Sequence, residues 1–213
     1  MTSLQLIGTP LSHFSRKLRI LLAELGVPFT FVRPPGVLTH TPATYGGNPL
    51  MRVPTLIDGD VTLFESEHIA RYLVRRHDPA DRFGVGSERV DDLNRLALIN
   101  GVMANEVVVL LSRRAGLEAT DSVAYFRKLL AAIDLALAEL DRGVEVDAPS
   151  FDYRDVALVC MWQHLVHYQL RADLARYRRI AARVTRFADR PSVASTTPEA
   201  SLAEAAAAGW QPG

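Results

Sequence analysis

The stretch "MRVPTL", residues 51 to 56, places a proline at the threshold of a strand. Leu56 and Ile57 continue an apolar run, Asp58-Gly59 supplies a hairpin turn, and "VTLF" follows. Proline cannot donate to a β-ladder and is confined to edges, first positions or bulges. A cis X-Pro bond costs only about 0.5 to 1 kcal/mol over trans, so a strand start can hold one, and a cis Val53–Pro54 bond is the expectation here. Val53 then turns its N–H and C=O away from the sheet, a recognition edge with which an extended peptide can pair. On Val53-Pro54-Thr55 alone, a trans edge proline with no role is the commoner case. The next segment changes the odds: in "FESEHIARYL", residues 64 to 73, Glu65 and Ser66 stand at a helix start, with Ser66 as the expected cap. The positive end of the helix suits a carboxylate, and Glu65 suits a neighbouring ammonium. Together they form a candidate site for the two charged groups of an α-amino acid, although by itself "ESEH" is more often an ordinary helix start with solvated acids.

The elements that must position these residues read as βαβαββα over the first eighty residues. "LQLIG" is a short apolar strand closed by Gly8-Thr9-Pro10. Ser12 caps a helix running to about Leu25, which Gly26 and Pro28 end. "FTFVR", residues 29 to 33, is a second strand, and "THTPATYGG" has room only for a short or irregular helix with Pro42 in its first turn. The hairpin "VPTLIDGDVTLF" and a helix from Ser66, with Ile69, Ala70, Leu73 and Val74 on one face, complete the series. Residues 76 to 89 lose periodicity and read as a linker. Beyond them helices are expected from about Arg89 to Arg113, Asp121 to Asp141, Asp152 to Tyr168 and Leu174 to Ala188. The expected organisation is an α/β domain over 1–77, a linker over 78–88 and an all-α domain over 89–213. The alanine-rich tail from Ser201 reads either as a frayed helix or as an ordered cap.

Composition excludes several function classes. Lys plus Arg equals Asp plus Glu at 24 each, so no global field draws in nucleic acid or an anionic membrane. With 48% hydrophobic and 23% charged residues the chain can bury a good core. The single cysteine, Cys160, rules out an internal disulfide, a CxxC pair and a multi-cysteine zinc site, which fits a reducing compartment. No basic flank with a long apolar run opens the chain and no apolar stretch is expected to reach transmembrane length, so the expectation is a cytoplasmic protein without membrane or nucleic-acid partners. The six histidines show no closed ligand spacing; His164 and His167 lie one turn apart with no acidic or cysteine company nearby in sequence, and no metal site is expected.

Residues 4 to 77 resemble the thioredoxin-like domain of the cytosolic glutathione S-transferases. "NPLMRVPTL" (48 to 56) resembles the family's Asn-Pro-x-x-x-Val-Pro-x-Leu, and "LFESEHIARYL" (63 to 73) its Leu-x-Glu-Ser-x-x-Ile-x-x-Tyr-Leu. In the helical half, "FDYRDVALVCMWQHL" (151 to 165) resembles the capping box of the family's buried core helix, with Asp152 in place of the usual hydroxyl, and "ADRPSV" (188 to 193) resembles the end of its last main helix. "PLSHFSRKLRI" (10 to 20) resembles the catalytic segment Ser-Pro-Phe-x-x-x-Val-Arg-Ile and aligns Ser12 with the catalytic serine or cysteine; His13 departs from it by replacing proline. The resemblance is to serine-type, bacterial-like members.

What the resemblance implies is a thioredoxin-like domain followed by an all-helical domain, binding glutathione, the tripeptide γ-Glu-Cys-Gly, as co-substrate. Glu65 and Ser66 take the γ-glutamyl amine and carboxylate, and the Val53 backbone ahead of cis-Pro54 pairs with the cysteinyl unit. His40 and Arg52 stand where the family often has lysines for the glycine carboxylate; Arg52 is a sound donor, whereas a histidine is a cation only when protonated. Ser12 stabilises the thiolate, with Ser15 as second choice, and capping and thiolate binding compete for one oxygen. With no cysteine at that position, conjugation to a small hydrophobic electrophile is favoured over thiol transfer. Its pocket is expected from Leu11, His13, Asn100, Met103, Ala104 and Val107. A homodimer and a role in detoxification follow from the family. The alternatives are a glutathione-dependent isomerase or peroxidase, or a non-catalytic binding or scaffold protein of the same fold.

Overall fold

A computed structural model describes residues 4–36 and 38–210; residues 1–3, 37 and 211–213, the last at the end of the alanine-rich tail, lie outside the described residues. The chain forms β1 (Gln5–Ile7), α1 (His13–Glu24), β2 (Thr30–Val32), a single 3-10 turn at Pro42–Tyr45, β3 (Thr55–Asp58), β4 (Val61–Phe64) and α2 (Ser66–His77). The strands form one sheet in the order β2-β1-β3-β4, parallel between β1 and β2 and antiparallel elsewhere. This is the thioredoxin-like βαβαββα arrangement expected from the sequence, and a helical region follows it.

Local signals set these boundaries. Ser12 accepts the Ser15 N–H at the start of α1. At the other end Gly26, at φ 66°, lets the Val27 N–H reach Leu22 O and the Gly26 N–H reach Ala23 O, so the last carbonyls are satisfied by a left-handed cap. Leu18, Ile20, Leu21 and Leu22 of α1 are fully buried, as are Leu6 of β1, Leu56 of β3 and Ile69, Ala70 and Leu73 of α2. The hairpin turns at Gly59-Asp60, between the paired Asp58 and Val61. Tyr72 of α2 donates to Asp58 Oδ2 at 2.8 Å and ties the helix to that turn.

The helices α3 (Val90–Arg114), α4 (Ala124–Gly143), α5 (Tyr153–Tyr168) and α6 (Arg178–Arg186) follow, then α7 (Pro191–Ala194) and α8 (Pro198–Ala207). Two compact units result: Ser87–Ala188 forms one, and Met1–Gly86 groups with Asp189–Gly213 in the other. The expected partition gave all of 89–213 to the helical half. The tail belongs instead with the sheet, because buried arginines of α1 hold it. Arg16 donates to Val193 O and Thr196 Oγ1, each at 3.2 Å. Arg19 donates to Ser201 Oγ at 2.9 Å and pairs with Glu204, which also accepts from Arg33. Both guanidinium groups also stand over the Phe31 ring, Arg19 at 4.5 Å and Arg33 at 5.0 Å from its centroid. Arg190 and Ser192 donate to Glu24; burial alone would raise that carboxyl, and these donors with the Arg190 charge outweigh it and hold it below its ordinary value. The tail is therefore an ordered cap, anchored by polar contacts that its sparse apolar face does not announce.

In the helical unit α5 is apolar nearly all round and buried at Tyr153 and from Asp155 to Trp162, as a core helix must be. Its start is a capping box: Asp152 accepts from the Arg154 and Asp155 N–H groups, and Asp155 accepts the Asp152 N–H. Arg183 of α6 closes it from outside, donating twice to Asp155 and also to the carbonyls of Val146, Ala148 and Ser150. Two expectations need correction. The helix expected over Leu174 to Ala188 is broken at Tyr177, whose buried side chain donates to Asp134 O and meets Trp162 edge-on, leaving a 3-10 turn at Leu174–Arg176 before α6. α3 is also long and apolar enough to cross a membrane, by length and composition alone, where no stretch of that length was expected; its buried residues are Ile99, Val102, Met103, Glu106 and Val109.

Candidate functional site

The site is assembled by register. Ile7 of β1 stands opposite Val32 of β2 and Thr55 of β3, and Thr55 stands opposite Phe64 of β4. The row Val32, Ile7, Thr55, Phe64 therefore crosses one end of the sheet. From that end the chain leaves β1 toward Ser12 and leaves β2 toward His40. It enters β3 through Arg52, Val53 and Pro54, and it leaves β4 into Glu65 and Ser66. Arg52, Val53, Pro54, Glu65 and Ser66 adjoin the strands at that end, whereas Ser12 follows β1 by five residues and His40 follows β2 by eight.

Each stands differently there. The Val53–Pro54 bond is cis, and β3 pairing begins only at Thr55, so the Val53 N–H and C=O take no part in the ladder. Asn48, buried at 1% exposure, holds the loop before it: its amide donates to Arg52 O at 3.0 Å and its Oδ1 accepts the Leu50 N–H at 2.9 Å. This residue belongs to the motif read from sequence, but its role as a loop clamp was not legible there. The Arg52 and His40 side chains are exposed. The helix start at α2 differs from expectation: Glu65, not Ser66, takes the cap position, with φ 73° and no side-chain capping bond, and Ser66 is the first helical residue and buried. A non-glycine residue in that region costs about 1–3 kcal/mol and persists where its surroundings impose it; here Glu65 makes the abrupt passage from β4 to α2. Lys17 of α1, its side chain fully buried, pairs with Glu67 at 2.5 Å and links α1 to the first turn of α2.

At the start of α1 the Ser12 oxygen accepts two bonds, from the Ser15 N–H at 3.1 Å and from the Ser15 hydroxyl at 3.0 Å. Ser12 is half-buried and Ser15 fully buried. The Ser15 side chain has room because residue 8 is glycine: a Cβ there would stand 2.6 Å from Ser15 Oγ and 2.8 Å from the Phe31 ring. Of the expected electrophile residues in this unit, Leu11 is half-buried and His13 is buried as the first residue of α1, its ring 4.7 Å from that of Phe14. Asn100, Met103, Ala104 and Val107 lie at helical spacing on α3 in the other unit, with Met103 fully buried and Ala104 exposed.

One cluster was missed. His164, read from sequence as lacking acidic company, has its Nδ1 2.7 Å from Oε1 of Glu106, across from α5 to α3. Burial raises the Glu106 carboxyl above its ordinary value, and His164 offsets part of that. A separation of 58 residues hides the pair from any local pattern.

Residues 6–81 match the model of the glutathione S-transferase N-terminal domain. Glutathione S-transferase 4 of Zea mays is 38% identical over 80 residues, 36% of this chain and 35% of that protein, so the match spans about a third of the curated relative's length. Among solved structures, a glutathione S-transferase of Methylobacterium radiotolerans in complex with glutathione sulfonate is similar with a TM-score of 0.77 and 26% identity, over 92% of this chain and 95% of that one. A glutathione transferase family member of Pseudomonas fluorescens Pf-5 with bound glutathione gives 0.74 and 27%, over 92% and 99%. Fold and motifs together define a thioredoxin-like domain joined to a helical region. Residues 6–81 are thus a glutathione S-transferase N-terminal domain, and the chain as a whole is similar to solved glutathione transferase structures.

Proposed function

We propose that this protein is a serine-type glutathione transferase, which binds glutathione at the shared end of its sheet and activates the thiol for attack on a small hydrophobic electrophile. The observation that carries the reading is the convergence there of two helix starts and one unpaired strand entry. The first-turn N–H groups of α2, with Ser66, suit the γ-glutamyl carboxylate, and Glu65 suits the amine. The Val53 backbone suits the cysteinyl unit as an added strand. The exposed Arg52 and His40 suit the glycine carboxylate, Arg52 as the permanent cation.

The chemical task is to hold thiolate at neutral pH. A free thiol has a pKa of about 8.5, and each unit of lowering requires about 1.4 kcal/mol of preferential anion stabilisation. One hydroxyl donor at a helix start supplies energy of that order. Ser12 fills that role: its O–H donates to the sulfur as the thiol proton leaves to solvent. The sulfur lone pair then forms the bond to the electrophilic carbon, and the displaced group departs with the electron pair of its own bond. Leu11 and His13, with Asn100, Met103, Ala104 and Val107, are the residues proposed to meet the electrophile. We propose a cytoplasmic homodimer with a detoxifying role, which rests on the family resemblance of its motifs alone.

The test is a titration of the bound thiol by its ultraviolet thiolate absorbance, in wild type and in Ser12→Ala. Wild type is expected to bind glutathione and to lower the thiol pKa, and Ser12→Ala to return it by about one unit toward the free value. Failure of wild type to bind glutathione sinks the reading; an unchanged pKa in Ser12→Ala removes Ser12 from the role.

A further inference from the structure

We infer that Ser15 is a positioning residue, which turns the Ser12 hydroxyl into a pure donor aimed at the glutathione sulfur. The inference rests on the transferase reading above and deepens it. A serine hydroxyl has one proton to donate and two lone pairs that accept. Both acceptor positions of Ser12 are occupied, one by the Ser15 N–H at 3.1 Å and one by the Ser15 hydroxyl at 3.0 Å. What remains to Ser12 is its own proton.

A thiolate accepts and cannot donate, so a proton with no competing orientation is what it needs. In a singly capped serine, one lone pair stays open and the hydroxyl rotor divides its time between orientations. The Ser15 hydroxyl removes that freedom. An oxygen that accepts also becomes a stronger donor, because hydrogen bonds in a chain polarise one another. Capping the helix and binding the sulfur therefore use opposite ends of the Ser12 hydroxyl and do not compete. The fully buried Ser15 has its own reason to donate there, since a buried hydroxyl without an acceptor bears the cost of its desolvation.

Gly8 is an independent sign that this arrangement is built. It follows β1 directly, its N–H bonded to Val32 O at 3.0 Å, and a Cβ on it would lie 2.6 Å from Ser15 Oγ and 2.7 Å from Ser15 Cβ. Any larger residue would push the Ser15 side chain from the seat in which it reaches Ser12. The sheet and α1 thus meet at a contact shaped for that hydroxyl.

The experiment is the pH titration of bound glutathione in wild type, Ser15→Ala, Ser15→Cys, Ser12→Ala and the Ser12→Ala/Ser15→Ala double variant, with glutathione affinity and thermal melting measured on each. Ser15→Ala keeps the backbone N–H cap, so the fold is retained. It should raise the bound thiol pKa by about 0.5 unit, roughly threefold less thiolate below that pKa, with kcat/KM falling in step at neutral pH and glutathione affinity changed less than about twofold. Ser15→Cys, which keeps the volume and a weak donor, should fall between wild type and Ser15→Ala. In the Ser12→Ala background Ser15→Ala should add nothing, because its effect passes through the missing hydroxyl. An unchanged thiol pKa in Ser15→Ala overturns the inference, as does a full further shift in the double variant or a larger shift in Ser15→Cys than in Ser15→Ala. In those cases the transferase reading still stands on wild type and Ser12→Ala, whereas a wild type that does not lower the thiol pKa overturns both.

Discussion

Two helix starts, at α1 and α5, use the same device and end in opposite conditions. At α5 the cap is closed. Asp152 accepts two backbone N–H groups and the Arg154 guanidinium, Asp155 returns a bond to the Asp152 N–H, and Arg183 takes the remaining acceptor capacity of Asp155. At α1 the cap oxygen accepts two bonds from Ser15 and keeps its proton. A carboxylate can only accept, whereas a hydroxyl can accept and still donate. The difference teaches why the structural helix start tolerates Asp where the site proposed to hold a thiolate has Ser.

The largest expected effect breaks the closed start. Arg183→Ala leaves Asp155 with a buried, uncompensated charge and removes donors from three loop carbonyls. Breaking a buried pair in this way costs about 3–5 kcal/mol, to be read as a lowered midpoint in denaturant unfolding followed by helical circular dichroism. A loss below about 1 kcal/mol would mean that the α5 start is held mainly by packing.

An exchange of cap types sharpens the comparison. Ser12→Asp keeps an acceptor for the Ser15 N–H, so unfolding stability should change by less than about 1 kcal/mol. It also exchanges the donor for a negative charge, and the bound thiol pKa should rise by at least about one unit, roughly 1.4 kcal/mol or more. Asp152→Ser is expected to cost α5 less than about 1 kcal/mol and to leave the thiol titration unaltered. Equal thiol behaviour in Ser12→Asp and wild type would show that the two caps differ only in chemistry that does not matter.

The smallest effect comes from an acid of the helical unit that escapes closure. Glu106 is fully buried, yet only its Oε1 is bonded, to His164, and Oε2 has no hydrogen-bond partner among the described residues. Burial raises this carboxyl above 4.5, so the folded state holds the proton more tightly than the unfolded chain does. No penalty exists below 4.5; it grows as pH rises from there and is complete above the raised native value. Glu106→Gln should therefore gain stability relative to wild type across that window, and the gain should grow as pH rises through it. The measurement is the midpoint difference between the two proteins as a function of pH. A difference independent of pH would show that the acid does not titrate in that range.

Much of the first unit, and the start of α5 in the second, was legible because the signals are local. Ser12 before an amphipathic run, Gly26 after it, Asp58-Gly59 between two short strands, and Asp152 three residues before Asp155 each satisfy backbone groups within a few positions of themselves. The cap of α2 was misplaced by one residue because residue type favours Ser66, while the passage out of β4 imposes a positive φ on Glu65 that no side chain advertises. Tyr177 lies in a helical pattern and breaks it only because its hydroxyl and ring are claimed by Asp134 and Trp162. The choice between a frayed and an ordered tail stayed open for the same reason: its anchors Arg16, Arg19 and Arg33 lie some 170 to 185 positions away in the chain.

The sequence by itself determined which elements form and which residues stand at their ends, since capping, turn chemistry and apolar spacing act over a few residues. It carried the family motifs and with them Ser12, Val53, Pro54, Glu65 and Ser66. Only the tertiary structure decided how those ends meet. The register of β1, β3 and β4 brings them to one end of the sheet, the close approach of Gly8 seats Ser15 against Ser12, and Glu106 finds His164 across two helices. Hydrogen bonds and register depend on distances of a few tenths of an ångström between groups far apart in the chain, which the order of residues constrains only after the core has packed.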